Sequence, residues 1–351
     1  MPLKKSHITL LISLLLVFAQ GKGQDVNVNA AYSSEFEQET FEAWARGDSV
    51  SVLRLLMAAE PGMTTEKYAE MTQQLDGIFA DVEKTLPPKG EHRRVDKIFR
   101  SIRKAHFADF SPVASVVEVL EMGRFNCVSA TAVLAMAFDY FEVPFQIQEQ
   151  PRHVFLYALT GDRPIRVETT SRDFGVIRAG KREAQQFEQQ FATMGKTRRS
   201  AQGAAHIAPD QLAGLHFYNE GLQAMDQADY LQAWRHFDRA WMLYPCTRVE
   251  EMRYDAASHL IDQGTAALLS GDLSTASTDL DLAYQVRPQD AQLQTSLLAL
   301  TLKRAEDAAS PADGIQSLKS ATQRYPFLSE DPLIRGLQAD LAAAVSASPA
   351  H

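Results

Sequence analysis

The chain has 351 residues, 45% of them apolar and 23% charged, with 35 basic against 44 acidic side chains and a formal net charge of −9. That length accommodates two domains of ordinary size, and a net-negative surface argues against nucleic acid as the main partner. Only two cysteines, Cys127 and Cys246, are present, which excludes a disulfide-stapled scaffold.

The chain opens MPLKKSHITLLISLLLVFAQGKGQ. Lys4 and Lys5 precede a short apolar run, Ile8 to Phe18, and Val17-Phe18-Ala19 offers a small-residue cleavage site. This is the pattern of a cleavable signal peptide over residues 1–19, and the run is too short to cross a bilayer comfortably. The expected mature protein is exported, to the periplasm or the extracellular space, without a stable membrane span. Losing Lys4 and Lys5 leaves 33 basic against 44 acidic residues, or −11.

Ser34-x-x-Glu37 resembles a capping box that opens a helix carrying Phe41, Trp44, Leu53 and Leu56. A second helix follows Thr64, with Tyr68, Met71, Leu75, Ile78, Phe79 and Val82 at helical spacing, and Pro87-Pro88 ends it. A third runs through Val95, Ile98, Phe99 and Ile102. Ser111-Pro112 starts a short helix over Val116–Leu120, which Gly123 stops. The next helix begins near Cys127, and Pro144 breaks it. Three strands are then expected: Phe145–Glu149, His153–Tyr157 and, after a turn at Thr160-Gly-Asp162, Pro164–Glu168. A helical layer followed by a small antiparallel sheet is an α+β arrangement.

Residues 195–210, GKTRRSAQGAAHIAPD, read as a solvated linker. Beyond it only helical pattern remains, and it repeats. Phe217, Gly221, Tyr230, Ala233, Phe237, Ala240 and Pro245 are matched at the same internal offsets by Leu260, Gly264, Leu273, Ala276, Leu280, Ala283 and Pro288, with a degenerate third copy through Leu298, Gly314, Leu318, Ala321 and Pro326. This is the tetratricopeptide-like pattern of small and large residues, although Gly221 to Gly264 is 43 residues, against about 34 for the usual repeat. The excess is assigned to TRVEEMRYD, 247–255, as an extension of the first repeat's second helix. Residues 331–345 read as a capping helix.

Cys127 carries the chemical interest. A thiol at a helix N-terminus feels the positive end of the helix dipole, which favours thiolate. A thiolate needs a base within hydrogen-bond reach and a group to orient that base. His153 begins one predicted strand and Glu168 ends the next, so in an antiparallel pair both fall at the same end of the sheet. Asn126 reads as the helix cap or as a side-chain oxyanion donor beside the Cys127 backbone N–H. Ser129, Arg152, Thr169 and Thr170 are near enough in sequence to line a cleft. The remaining histidines are scattered, so no metal or other cofactor is expected.

The stretches NCVSATAVLAMAFDYFEVPF, PRHVFLYAL and RVETTSRDFG resemble the transglutaminase-like branch of the papain-like thiol superfamily. The likeness covers roughly residues 35–190, and its motifs span 123–175. It implies Cys127 as nucleophile, His153 as general base and acid, and Glu168 as the orienting carboxylate, where the superfamily more often has aspartate. The expected organisation is a signal peptide at 1–19, a transglutaminase-like domain at 30–194, a linker at 195–210 and a tetratricopeptide-like domain at 211–346. The resemblance implies attack on a peptide or glutamine-type amide, with a peptide or protein substrate. The repeats imply a protein partner held in an apolar groove of Leu215, Tyr218, Leu222 and Met225, then Ile261, Leu268 and Leu269. Two other readings stand beside this one: an inactive scaffold whose repeats mediate interactions in the cell envelope, and a redox-sensing thiol.

Overall fold

The computed structural model describes residues 32–160, 164–170, 175–178 and 205–347. The signal-peptide expectation lies outside them, and no described helix is long and apolar enough to cross a membrane. The chain is mostly helical with a small antiparallel sheet, an α+β architecture. It divides into two compact units, Tyr32–Leu260 and the segment from Ile261 onward.

The first unit begins with α1 (Glu35–Ala45) and α2 (Val52–Met57). The sequence pattern predicts one helix here, but Gly47, at φ 82°, turns the chain between two. Ser34 caps α1 through the Glu37 N–H. The Glu37 carboxylate turns back to Ser33, accepting from its N–H at 2.7 Å and its hydroxyl at 2.6 Å. Helices α3 (Thr65–Glu83) and α4 (Glu91–His106) follow. Thr64 caps α3, and the Met71, Leu75, Phe79 and Val82 stripe is buried as its spacing requires. A two-residue strand β1 (Asp109–Phe110) precedes α5 (Val116–Met122) and pairs in parallel with β2 (Arg124–Phe125). The cap of α5 is Ser115, three residues beyond the expected start region, and Ser115 with Glu118 forms a full capping box. Gly123 ends α5 in the left-handed region at φ 71°, where a side chain is disfavoured.

Helix α6 (Cys127–Tyr140) is apolar on nearly all sides, and Ala130, Ala132, Ala135 and Ala137 are buried. Small side chains let the sheet and the neighbouring helices approach its backbone closely, so it forms the centre of the core. The sheet has the order β6-β5-β4-β3-β7, from β3 (Phe145–Gln150), β4 (His153–Ala158), β5 (Ile165–Val167), β6 (Val176–Arg178) and β7 (Ala205–Ile207). Its pairings are antiparallel, with Gln150 opposite His153 and Tyr157 opposite Arg166. Strand alternation sends Val154, Leu156, Ala158, Ile165 and Val167 into the main core, while Phe155 and Tyr157 form a separate apolar cluster. Two strands depart from the sequence reading. β6 is unpredicted, and β7 lies inside the expected 195–210 linker, where Ile207 pairs with Ile147.

Helices α7 (Pro209–Asp226) and α8 (Tyr230–Leu243) form a hairpin in which Gly221 allows close approach: a methyl there would lie 2.6 Å from the Phe237 ring. These two helices, assigned from sequence to the second domain, belong to the first unit, and Leu212, Phe217, Ala240 and Leu243 join its core. The compact units divide within the long helix α9 (Thr247–Ser270), whereas the sequence reading places its boundary at 195–210. That helix also accounts for the long repeat. TRVEEMRYD sits at its start rather than at the end of α8, because Pro245 interrupts the chain first.

The second unit continues through α10 (Leu273–Val286), α11 (Ala291–Glu306), α12 (Pro311–Arg324), a short 3-10 turn and α13 (Pro332–Ala347). Gly264 meets Leu280 as Gly221 meets Phe237: a methyl at Gly264 would lie 2.8 Å from the Leu280 Cγ. Gly314 differs, because a methyl there would meet the Ala305 carbonyl on the preceding helix, at 2.7 Å.

Candidate active site

Cys127 is the first residue of α6 and is partly exposed. Asn126 caps the helix, its Oδ1 accepting from the N–H groups of Val128 and Ser129 at 2.8 Å each. Its Nδ2 donates to the carbonyls of Pro112 and Ala114, both at 3.0 Å. The side chain thus ties the helix start to the loop before α5, and both amide hydrogens are committed. As an oxyanion donor Asn126 is corrected: no side-chain N–H is left over. The cap engages Val128 and Ser129 and not the Cys127 N–H.

His153 begins β4, and Glu168 follows β5 directly. The His153 Nε2 lies 2.7 Å from Glu168 Oε2. Cys127 is the other side chain that acts on this ring, and it raises the imidazole. Three side chains distant in sequence therefore meet in one notch. The hydrogen bond to Cys127 and then that to Glu168 push the His153 imidazole up to about 9, against the opposing effect of burial. Burial alone would raise the Glu168 carboxyl, but the His153 hydrogen bond and the Arg166 charge hold it below the usual carboxylate range.

Two participants escaped the sequence reading. Arg166 donates from Nε to Glu168 Oε1 at 2.6 Å, with Nη2 on the same oxygen. Its guanidinium carbon sits 4.2 Å from the centroid of Phe155, and the Phe155 ring lies 5.7 Å from that of His153 at 23°. The signal was available: His153 and Phe155 are two apart on β4, and Arg166 and Glu168 two apart in the predicted strand Pro164–Glu168, so each pair shares a face.

Ser129 is buried and closes the Asn126 capping box, and Thr169 is fully buried. Arg152 is exposed, in the left-handed region at φ 64°, in the turn just before His153. His206, within the expected linker, is on β7.

The groove residues are divided. Ile261 and Leu215 are buried, so as peptide-facing positions they are corrected: each turns into helix packing. Tyr218 is half-buried, its ring 5.8 Å from Phe237 and 5.4 Å from the Arg248 guanidinium carbon. Leu222, Met225 and Leu268 keep part of their surface, and Leu269 is 84% exposed. Cys246 lies in the same unit as Cys127, and both are free thiols.

No protein-family profile matches the chain, and no curated protein matches it. Among solved structures the chain is similar to menin, in a crystal structure described as revealing the binding site for Mixed Lineage Leukemia (MLL) protein. The match is 12% identical, covers 96% of this chain and 93% of that chain, and has a TM-score of 0.29. A superposition this loose bears on neither fold nor activity.

Proposed function

We propose that the protein is an exported thiol enzyme of transglutaminase-like type, acting on a peptide or glutamine-type amide. The observation that carries this reading is the 2.7 Å contact of His153 Nε2 with Glu168 Oε2, on an imidazole that Cys127 at the start of α6 also influences. In the reaction the Cys127 sulfur attacks the amide carbon as thiolate, with its proton on His153. The tetrahedral oxyanion is received by the Cys127 backbone N–H at the start of α6. His153 then gives its proton to the departing amine, leaving a thioester. Water or a second amine attacks the thioester, His153 takes the proton of that nucleophile, and the sulfur leaves as thiolate. Glu168 keeps the ring oriented and stabilises its charged form.

The tetratricopeptide-like hairpins serve protein binding in this reading, in the first unit through the partly exposed Leu222 and Met225 rather than the buried Leu215. The matching Gly221–Phe237 and Gly264–Leu280 approaches support kinship between those two hairpins.

The test is thiol labelling of the native protein with iodoacetamide at pH 6 to 8, followed by amide hydrolysis and amine incorporation on glutaminyl peptides. Native labelling is expected well above that of a free thiol, and Cys127→Ala is expected to abolish turnover. Labelling of Cys127 no faster than in the unfolded chain would sink the enzyme reading.

A further inference from the structure

Glutamate carries one more rotatable bond than aspartate, and holding an imidazole with it requires that freedom to be removed. The two oxygens of Glu168 divide their partners: Oε2 serves His153 at 2.7 Å, and Oε1 accepts both Arg166 donors, one at 2.6 Å. The Arg166 side chain is itself held, lying 4.2 Å over Phe155, which is fully buried. Phe155 also flanks the His153 ring. Arginine, glutamate, histidine and phenylalanine thus close a ring of contacts whose strand positions are set by the sheet.

We propose that Arg166 is a positioning residue, clamping Glu168 against rotation over the Phe155 ring so that the longer acid can hold His153 for Cys127. The inference rests on the triad reading above. Surface ion pairs contribute little to stability, but this one differs in kind. The Glu168 side chain is only 12% exposed, the planar fork fixes direction as well as charge, and the oxygen it occupies is the one that would otherwise compete for the imidazole. A lysine supplies the charge without the fork.

The experiment titrates His153 by imidazole NMR in the full chain and follows Cys127 alkylation by iodoacetamide at pH 7, with circular dichroism to verify folding. Loss of the Arg166 charge alone would favour the protonated imidazole, so the clamp predicts the opposite outcome. With Glu168 free to rotate away, Arg166→Met is expected to weaken proton binding by His153 several-fold and to slow alkylation by a similar factor, and tighter proton binding with unchanged alkylation would overturn it. Arg166→Lys is expected to recover part of both. Should Arg166→Met not fold, Arg166→Gln, which keeps a polar N–H but neither the reach nor the charge, is expected to move both readouts in the same direction. The clamp is overturned if folded Arg166→Met or Arg166→Gln stays within twofold of wild type on both readouts while Glu168→Gln does not. If Glu168→Gln is itself unchanged, the triad reading fails and the clamp falls with it.

Discussion

The Arg239 guanidinium on α8 donates to the Glu37 carboxylate on α1 at 2.9 Å, and both side chains are 3% exposed. Tyr32 and Phe41 cover the guanidinium at 4.2 and 5.1 Å. Removing one partner from such a pair leaves a buried charge uncompensated, which costs about 3–5 kcal/mol, whereas replacing both with apolar groups is often nearly neutral. Arg239→Met is therefore expected to lower the unfolding free energy by that amount. Arg239→Met with Glu37→Met is expected to lose clearly less, as read from urea unfolding. Equal losses in the single and double variants would show that the pair is not energetically coupled.

Gly175 packs directly on Phe99: a methyl group there would lie 1.9 Å from its Cε1. Its carbonyl accepts the Glu168 N–H at 2.7 Å, so displacement at Gly175 is passed to the candidate acid. Gly175→Ala is expected to cost about 1–3 kcal/mol, as overpacking does, and to slow Cys127 alkylation. Adding Phe99→Leu is expected to restore part of both, measured by denaturant unfolding and labelling rate.

Asn126 does more than cap. Losing a cap costs about 0.5–2 kcal/mol, and Asn126→Ala also strips the Pro112 and Ala114 carbonyls of their donor. A loss of about 2–4 kcal/mol is expected once those unpaired groups are included. Asn126→Asp keeps the accepting oxygen but turns a carboxylate toward two carbonyls, so it is expected to rescue little. Full rescue by Asp in a thermal melt would reduce Asn126 to a simple cap.

His216 is buried on α7 between Glu60 at 3.7 Å and Glu220 at 3.8 Å. Burial works against its charge, but the neighbouring carboxylates of Glu60 and Glu220, with Glu118 further off, raise it above its ordinary 6.5. A raised imidazole stabilises the fold fully below 6.5, and that contribution is lost as pH climbs through the folded value. His153, raised to about 9, has the same sign. Urea unfolding from pH 6 to 10 is expected to show stability falling on the alkaline side. His216→Gln should be less stable at pH 6 and show a shallower fall; an unchanged slope would mean His216 is neutral throughout.

Much of the first unit was legible because its signals are local. Gly123 and Asn126 bracket the start of α6, alternation marks β3 and β4, and an antiparallel pair forces His153 and Glu168 to one end of the sheet. What was missed depends on partners outside the local pattern. Ala205–Ile207 has too few residues to alternate convincingly, and only the free edge of β3 makes it a strand. Ile261 carries the same hydrophobicity whether it faces a peptide or a neighbouring helix. Leu212 and Phe217 announce an apolar face without saying that the thiol-bearing core covers it. Arg166 reads as an ordinary exposed strand cation until Glu168 and Phe155 are seen around it.

Because the α7–α8 hairpin supplies part of the hydrophobic interior around α6, cutting the polypeptide within residues 195–210 would not detach an appendage. It would remove a wall of the building in which the sulfur, imidazole and carboxylate are lodged. A fragment meant to keep those three groups assembled has to include the α7–α8 hairpin, whose Leu212, Phe217, Ala240 and Leu243 belong to the same core.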